Sequence, residues 1–250
     1  MISFITPFLS GKRMLETHLS SIREFHPNDE ILISAMDDSG KDISAKYNAV
    51  YSIDNLDYYN AVWSMVDKAS NDTLLICDHD TVFFNNVQYL ADKLSNYDLI
   101  SIEERIRNPY TNTWERFAPG YADMSFFMVS NSNVKSKVPE WPGYPPFDFN
   151  KPDNQNMEPH YGLCDALSKH YYLKPFHIDK YKLGNLIRDG NKEICWHQWF
   201  GSYDKRGTFF SDKPGAMTPY DTLQDLIDTE NLFLDDYPNI EFSEAKPVLI

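Results

Sequence analysis

The sequence has few cysteines and no pairing pattern among them. Its three, Cys77, Cys164 and Cys195, are odd in number and none sits in a CxxC pair. That argues against a disulfide scaffold and a cysteine-built zinc site, and for buried free thiols in a reducing compartment. Long apolar runs are also missing: nothing approaches the ~20 apolar residues of a membrane span. The opening MISFITPFLSGKRML carries a short apolar run with no basic segment ahead of it, so it reads as a first core strand and not as a signal peptide. Positive charge is in deficit, with 23 Lys and Arg against 37 Asp and Glu, a net charge of −14. A surface of that sign grips neither a nucleic-acid backbone nor an anionic lipid face. The phosphate-loop signatures GxGxxG and GxxxxGK[ST] do not occur, and there is no internal repeat or low-complexity tract. The expectation is a cytoplasmic protein with no nucleic-acid partner and no direct membrane span.

What is present is an alternation of strand and helix patterns. A length of 250 residues suits one large α/β domain with long loops. The apolar run at 2–7 predicts a strand. Met14, Leu15, Leu19, Ile22 and Phe25 predict a helix over 13–25, stopped by His26-Pro27-Asn28. Strands follow at 30–35 and 50–53, a helix at 58–69, a strand at 73–77, a helix at 86–94 and a strand at 99–103. That order implies a largely parallel sheet with right-handed crossovers, whose ligands sit beyond the carboxyl ends of the strands. The alternation then breaks. A strand at 124–129 precedes a loop over 141–162 rich in Pro, Asn, Tyr and Phe, and loops of that length are often functional. A short helix over 163–172, strands at 171–178 and 192–196, and a helix over 223–234 complete the reading.

Two acidic clusters fall at predicted strand ends. In LLICDHDTVFF, Asp78 and Asp80 flank His79; in an extended backbone the two aspartates share a face and His79 opposes them. Two carboxylates that close repel each other unless a cation or hydrogen-bond donors lie between them. Their oxygens suit Mg²⁺ or Mn²⁺, and such ions often also bind substrate phosphates. The plain alternative is a solvated turn, or an Asp that caps the next helix. Asp37-Asp38-Ser39-Gly40 follows the second strand, as a simple turn or as carboxylates for a base or ribose. His197, between Trp196 and Trp199, is a competent metal ligand, and Lys205 and Arg206 could neutralise a diphosphate; an ordinary surface turn is the alternative.

The ordered set resembles the GT-A glycosyltransferases, especially the family-two nucleotide-sugar enzymes with a DxD motif. The matching pieces are ITPFLSGKR, DDSG, DHD, an acidic residue opening a later helix, and a late histidine, spanning roughly residues 1–210. The resemblance implies an α/β fold with a GT-A-like, Rossmann-type, mostly parallel sheet flanked by helices and a long acceptor-side loop. It implies a catalytic domain over 1–210, with a nucleotide-sugar half at 1–105 and an acceptor half at 106–210, and a C-terminal extension over 211–250. By the same likeness Asp37 and Asp38 would bind base or ribose, Thr6 and Pro7 would line the nucleotide pocket and Arg13 would lie nearby. Asp78 would contact ribose or the metal, Asp80 would bind Mn²⁺ (or Mg²⁺) and His197 would complete the metal set.

Asp165, in GLCDALSKH, would match the general base of inverting members; Asp153 and Glu158 are rivals, because LCD copies the usual Glu-Asp pattern only loosely. His79 is unusual inside a DxD motif and is expected to pack behind it. The implied activity is transfer of a sugar from a UDP- or GDP-type donor to a glycan, lipid-linked or small-molecule hydroxyl. Two other classes fit the acidic strand ends: a nucleotidyltransferase acting on a sugar phosphate, and a non-catalytic nucleotide-sugar-binding protein.

Overall fold

The computed structural model describes residues 1–8, 11–54, 58–103, 105–107, 114–116, 122–137, 167–177, 185–197, 231–237 and 246–247. The elements run β1 (Ile2–Phe8), α1 (Lys12–Phe25), β2 (Glu30–Ala35), α2 (Lys41–Lys46), β3 (Val50–Ile53), α3 (Tyr58–Lys68), β4 (Thr73–Cys77), β5 (Thr81–Phe83) and α4 (Gln88–Ala91). A 3₁₀ turn (Asp92–Ser95) leads to β6 (Leu99–Glu103), then β7 (Arg105–Arg107), β8 (Trp114–Arg116), β9 (Ala122–Ser130) and α5 (Asn131–Lys137). β10 (His170–His177), β11 (Asn185–Asp189), β12 (Lys192–His197), a helix over 231–236 and β13 (Lys246–Pro247) follow. The expected α/β class, with a mostly parallel central sheet between helices, is what is observed.

The sheet order is β3-β2-β1-β4-β9-β6-β10-β11-β12-β5, with β13 beside β10. Up to β10 the strands run in one direction except β9, which is antiparallel to both β4 and β6. From β10 onward every pairing is antiparallel. Both faces of β1, β2 and β4 are buried, which is why these strands read as continuous apolar runs, whereas the edge strand β3 is half exposed. Phe4, Ile31 and Ile33 face Leu15, Leu19 and Ile22 of α1. Ile5, Leu32 and Ile76 face Val62, Met65 and Val66 of α3. α1 also has a second contact, through Met14, with Val82 of β5, Leu186 of β11 and Trp196 of β12.

Three residues separate β4 from β5, yet β4 lies in the middle of the sheet order and β5 at its end. So short a link holds their ends within about 10–14 Å, since an extended residue spans only ~3.3–3.6 Å. The antiparallel strands therefore fold back across the carboxyl end of the parallel sheet, with α1 between the two.

Several local expectations change. The helix expected over 86–94 is one α-turn followed by a 3₁₀ turn. Where a helix was expected to run on to 172, the chain is a strand from His170. Its residues pair with Leu99–Ile102 of β6, and that ladder overrides the weak helical spacing. The helix expected over 223–234 is observed at 231–236 among the described residues. The short elements α2, β5, β7, β8, α5, β11 and β13 were not anticipated. The loop over 141–162 lies outside the described residues.

Candidate metal centre and nucleotide cleft

The chain order β1, β2, β3 proceeds to one side of β1, and β4 returns on the other side. In open α/β sheets such a reversal marks the ligand crevice beyond the carboxyl ends of the strands, which here are β1 and β4. The turn after β4 carries Asp78, His79 and Asp80 into it. The turn after β2 carries Asp37 and Asp38 to the other side of the end of β1.

The Asp78–Thr81 turn is closed by the Thr81 amide donating to the Asp78 carbonyl, 3.1 Å. The aspartates therefore come together through a tight turn and not through the alternation of an extended strand. His79 leaves on the opposite side, where its buried ring meets Phe8 edge-on with centroids 5.3 Å apart. β12 runs antiparallel to β5 and sets His197 directly opposite Thr81. The result is a cluster of three donor groups: His197 Nε2 lies 3.4 Å from Asp80 Oδ1 and 3.7 Å from Asp78 Oδ2. Asp80 and His197 are buried, 3% and 6% exposed, and Asp78 is half-buried. All three donor atoms lie within 4.8 Å of one another, and this is the metal-competent cluster found among the described residues.

The donor set fits a divalent cation. Two carboxylates and an imidazole suit Mn²⁺ and Mg²⁺ by type, the imidazole favouring the softer ion. Separations of 3.4 and 3.7 Å exceed the ~2.7–2.9 Å of a charge-assisted hydrogen bond. They sit slightly outside the ~3.0 Å that neighbouring ligands at about 2.1 Å from one octahedral ion would show.

In the second turn the two aspartates differ. Asp37 Oδ1 accepts the Ser39 amide at 2.8 Å, an Asx turn, and the Asp37 carbonyl accepts the Tyr51 hydroxyl at 2.6 Å. Asp38 is exposed. Asp37 thus shapes the turn, and Asp38 is the carboxylate presented to solvent at the crevice. Gly40 closes the turn against the core: a Cβ there would stand 2.8 Å from both Leu15 Cδ2 and Phe8 Cε1.

The remaining expected residues fall into three groups. Thr6 and Pro7 are buried at the end of β1, the Thr6 hydroxyl bonded to His18 Nε2 at 3.0 Å. Arg13 donates to Asn231 Oδ1 at 2.7 Å and Asp235 Oδ1 at 2.5 Å, so its guanidinium faces the 231–236 helix. Asp153, Glu158, Asp165, Lys205 and Arg206 lie outside the described residues.

One buried residue beneath the site was not anticipated. His18 of α1 is fully buried, with Nδ1 2.5 Å from the Thr81 carbonyl. A carbonyl oxygen only accepts, so Nδ1 carries the proton and Nε2 accepts from Thr6. Burial pushes the His18 pKa down to about 4, against the opposing pull of the Thr81 carbonyl. The sequence carried a signal for it: position 18 lies on the same helical stripe as Met14, Leu15, Leu19 and Ile22.

No family model matches this sequence, and no curated protein matches it. Solved structures do match by fold. The mannosyltransferase PcManGT of Pyrobaculum calidifontis, determined with GDP-Man and Mn²⁺, shares 15% identity at a TM-score of 0.42, covering 54% of this chain and 46% of that one. Residues 1–349 of S. aureus TarS share 10% identity at a TM-score of 0.48, covering 78% of this chain and 59% of that one. The bifunctional IspDF of Campylobacter jejuni shares 11% identity at a TM-score of 0.46, covering 68% and 48%. This chain thus spans between about half and three-fifths of the length of these three structures. No helix among the described residues is long and apolar enough to cross a membrane.

Proposed function

We propose that this chain is a metal-dependent glycosyltransferase that moves a sugar from a UDP- or GDP-type donor to a hydroxyl acceptor. The observation that carries the reading is the convergence of Asp78, Asp80 and His197 at the switch point of a mostly parallel sheet. Those three residues would hold Mn²⁺ or Mg²⁺. Such an ion supplies positive charge where negative charge develops on the leaving diphosphate. The chain's own groups divide the remaining work. Asp38 accepts hydrogen bonds from the ribose or base, on a turn that Asp37 and Tyr51 hold in shape. Pro7 and Thr6 close the floor of the crevice at the end of β1. Lys205 and Arg206 meet the diphosphate. Asp165, with Asp153 and Glu158 as rivals, takes the acceptor proton in an inverting reaction. The catalytic unit is assigned to 1–210 and the C-terminal extension to 211–250.

A nucleotidyltransferase acting on a sugar phosphate is the second reading. It is favoured by Gly11, whose φ of 92° puts a left-handed residue at the amino end of α1, beyond the carboxyl end of β1. The test is turnover with a panel of nucleotide sugars and Mn²⁺. Acceptor-dependent release of UDP or GDP supports sugar transfer, and a nucleoside triphosphate as the only ligand would refute it. Asp80→Asn is expected to abolish metal-stimulated turnover with the far-ultraviolet circular dichroism unchanged. Turnover with undiminished Mn²⁺ dependence in that variant removes the metal role.

A further inference from the structure

The Asp78–Thr81 turn is held from several sides, and Thr81 is where the restraints meet. Its amide closes the turn onto the Asp78 carbonyl. Its hydroxyl donates to the Ser125 carbonyl of β9 at 3.3 Å, and its position in β5 pairs with His197. Its own carbonyl, in the residue that follows Asp80, accepts from His18 Nδ1. The imidazole is fixed at its far nitrogen by Thr6 on β1, whose hydroxyl lies 3.8 Å from the Cys77 sulfur at the end of β4. One helical turn on, Ser21 Oγ accepts the Phe83 amide at 3.0 Å. β5 is thus tied to α1 at two alternate residues, and the tie nearer the aspartates is a histidine that reaches none of the three candidate ligands.

A hydrophobic side chain would fill this place in the α1 stripe without needing partners. A buried imidazole there requires both nitrogens satisfied, and both are. We infer that His18 is a positioning residue for the candidate metal centre: through its Nδ1–H bond to the Thr81 carbonyl it holds the Asp78–Asp80 turn in the arrangement that meets His197. The inference rests on the metal reading of that cluster. It assigns a function to a residue that touches neither metal nor substrate, of the kind whose loss weakens metal binding roughly 10–100-fold.

Asn and Gln separate this role from simple core filling. The Asn amide nitrogen falls near the position of Nδ1 and can still donate to Thr81; the Gln amide falls near Nε2 and cannot. Both bury a primary amide, so both lower the metal-free melting temperature. The probe is Mn²⁺ alone, titrated into the full chain and followed by the electron paramagnetic resonance of the free ion. His18→Asn is expected to stay within about threefold of the unmutated affinity, and His18→Gln to weaken it about tenfold or more. Equal affinities in the two variants, whether both weakened or both unchanged, overturn the inference. His18→Leu fills the same place without a donor, and gives a second measurement if His18→Gln does not fold. Mn²⁺ affinity weakened about tenfold or more in His18→Leu supports the positioning role, and affinity within about threefold of the unmutated protein overturns it. The two levels of the argument fail differently. Mn²⁺ binding that survives Asp80→Asn removes the metal reading and the inference with it. Binding lost in Asp80→Asn but intact in His18→Gln removes the inference alone.

Discussion

At the scale of the residue, two fully interior histidines, His18 and His26, stay neutral because burial penalises their charged forms. His26 donates from Nδ1 to Asp29 at 2.8 Å and accepts the Val87 amide at Nε2, 3.0 Å, so it too is locked in one tautomer. In the unfolded chain such groups titrate near 6.5, whereas native His18 titrates at about 4. Between those values the unfolded state binds more protons, so stability is full above pH 6.5 and falls as pH drops toward 4. From His18 alone the loss is about 2 kcal/mol at pH 5. Thermal melts from pH 7.5 to 4.5 should show that decline, and His18→Asn should flatten it. A lowered native pKa cannot be read from a sequence, because it depends on complete removal from water. Position 18 on an apolar helical stripe nevertheless marks the residue as one whose polarity requires partners.

At the scale of the element, Gly40 and β5 show how short segments place the chemistry. Gly40 has φ −99°, open to any residue, so steric closeness and not backbone freedom keeps it small. Leu15 and Phe8 are both buried, and a methyl group 2.8 Å from each forces them apart. Gly40→Ala should therefore destabilise the protein by about 1–3 kcal/mol and disturb the turn bearing Asp38. Chemical denaturation reads the first effect and nucleotide binding the second. β5 has only three residues, too few to show an alternating pattern, and it is a strand because β12 pairs with it. The strands at 30–35, 73–77 and 99–103 were legible because each is a longer apolar run, and they appear with the expected bounds, as does the four-residue edge strand at 50–53. At 170–172 the expected helix end gives way to the strand, itself expected over 171–178, because a non-local ladder to β6 outweighs local spacing.

At the scale of the whole molecule, the helix over 231–236 docks on the folded-back strands. Phe233 stacks on Trp196 with centroids 4.9 Å apart and planes 16° from parallel, both rings fully buried. The Arg13–Asp235 pair beside it is exposed on both sides and contributes at most about 1 kcal/mol. A Phe→Ala change in a core costs roughly 3–5 kcal/mol, so the rings and not the ion pair hold the helix. Phe233→Ala should red-shift the tryptophan fluorescence and lower the melting temperature, while Arg13→Ala leaves both nearly unchanged. Trp196 adjoins His197, so Phe233→Ala should also weaken Mn²⁺ binding, measured by titration. The sequence by itself determined the α/β class, the apolar faces of the parallel strands and the acidic residues at their carboxyl ends, because each depends on periodicity over a few neighbours. Tertiary structure alone decided the register that sets His197 within 3.4–3.7 Å of Asp80 and Asp78, a grouping the family resemblance had implied, that Asp37 shapes a turn while Asp38 is presented, and that His18 stands beneath them. Those outcomes depend on which distant strands share hydrogen bonds when the sheet folds back on itself, and no local propensity encodes that choice.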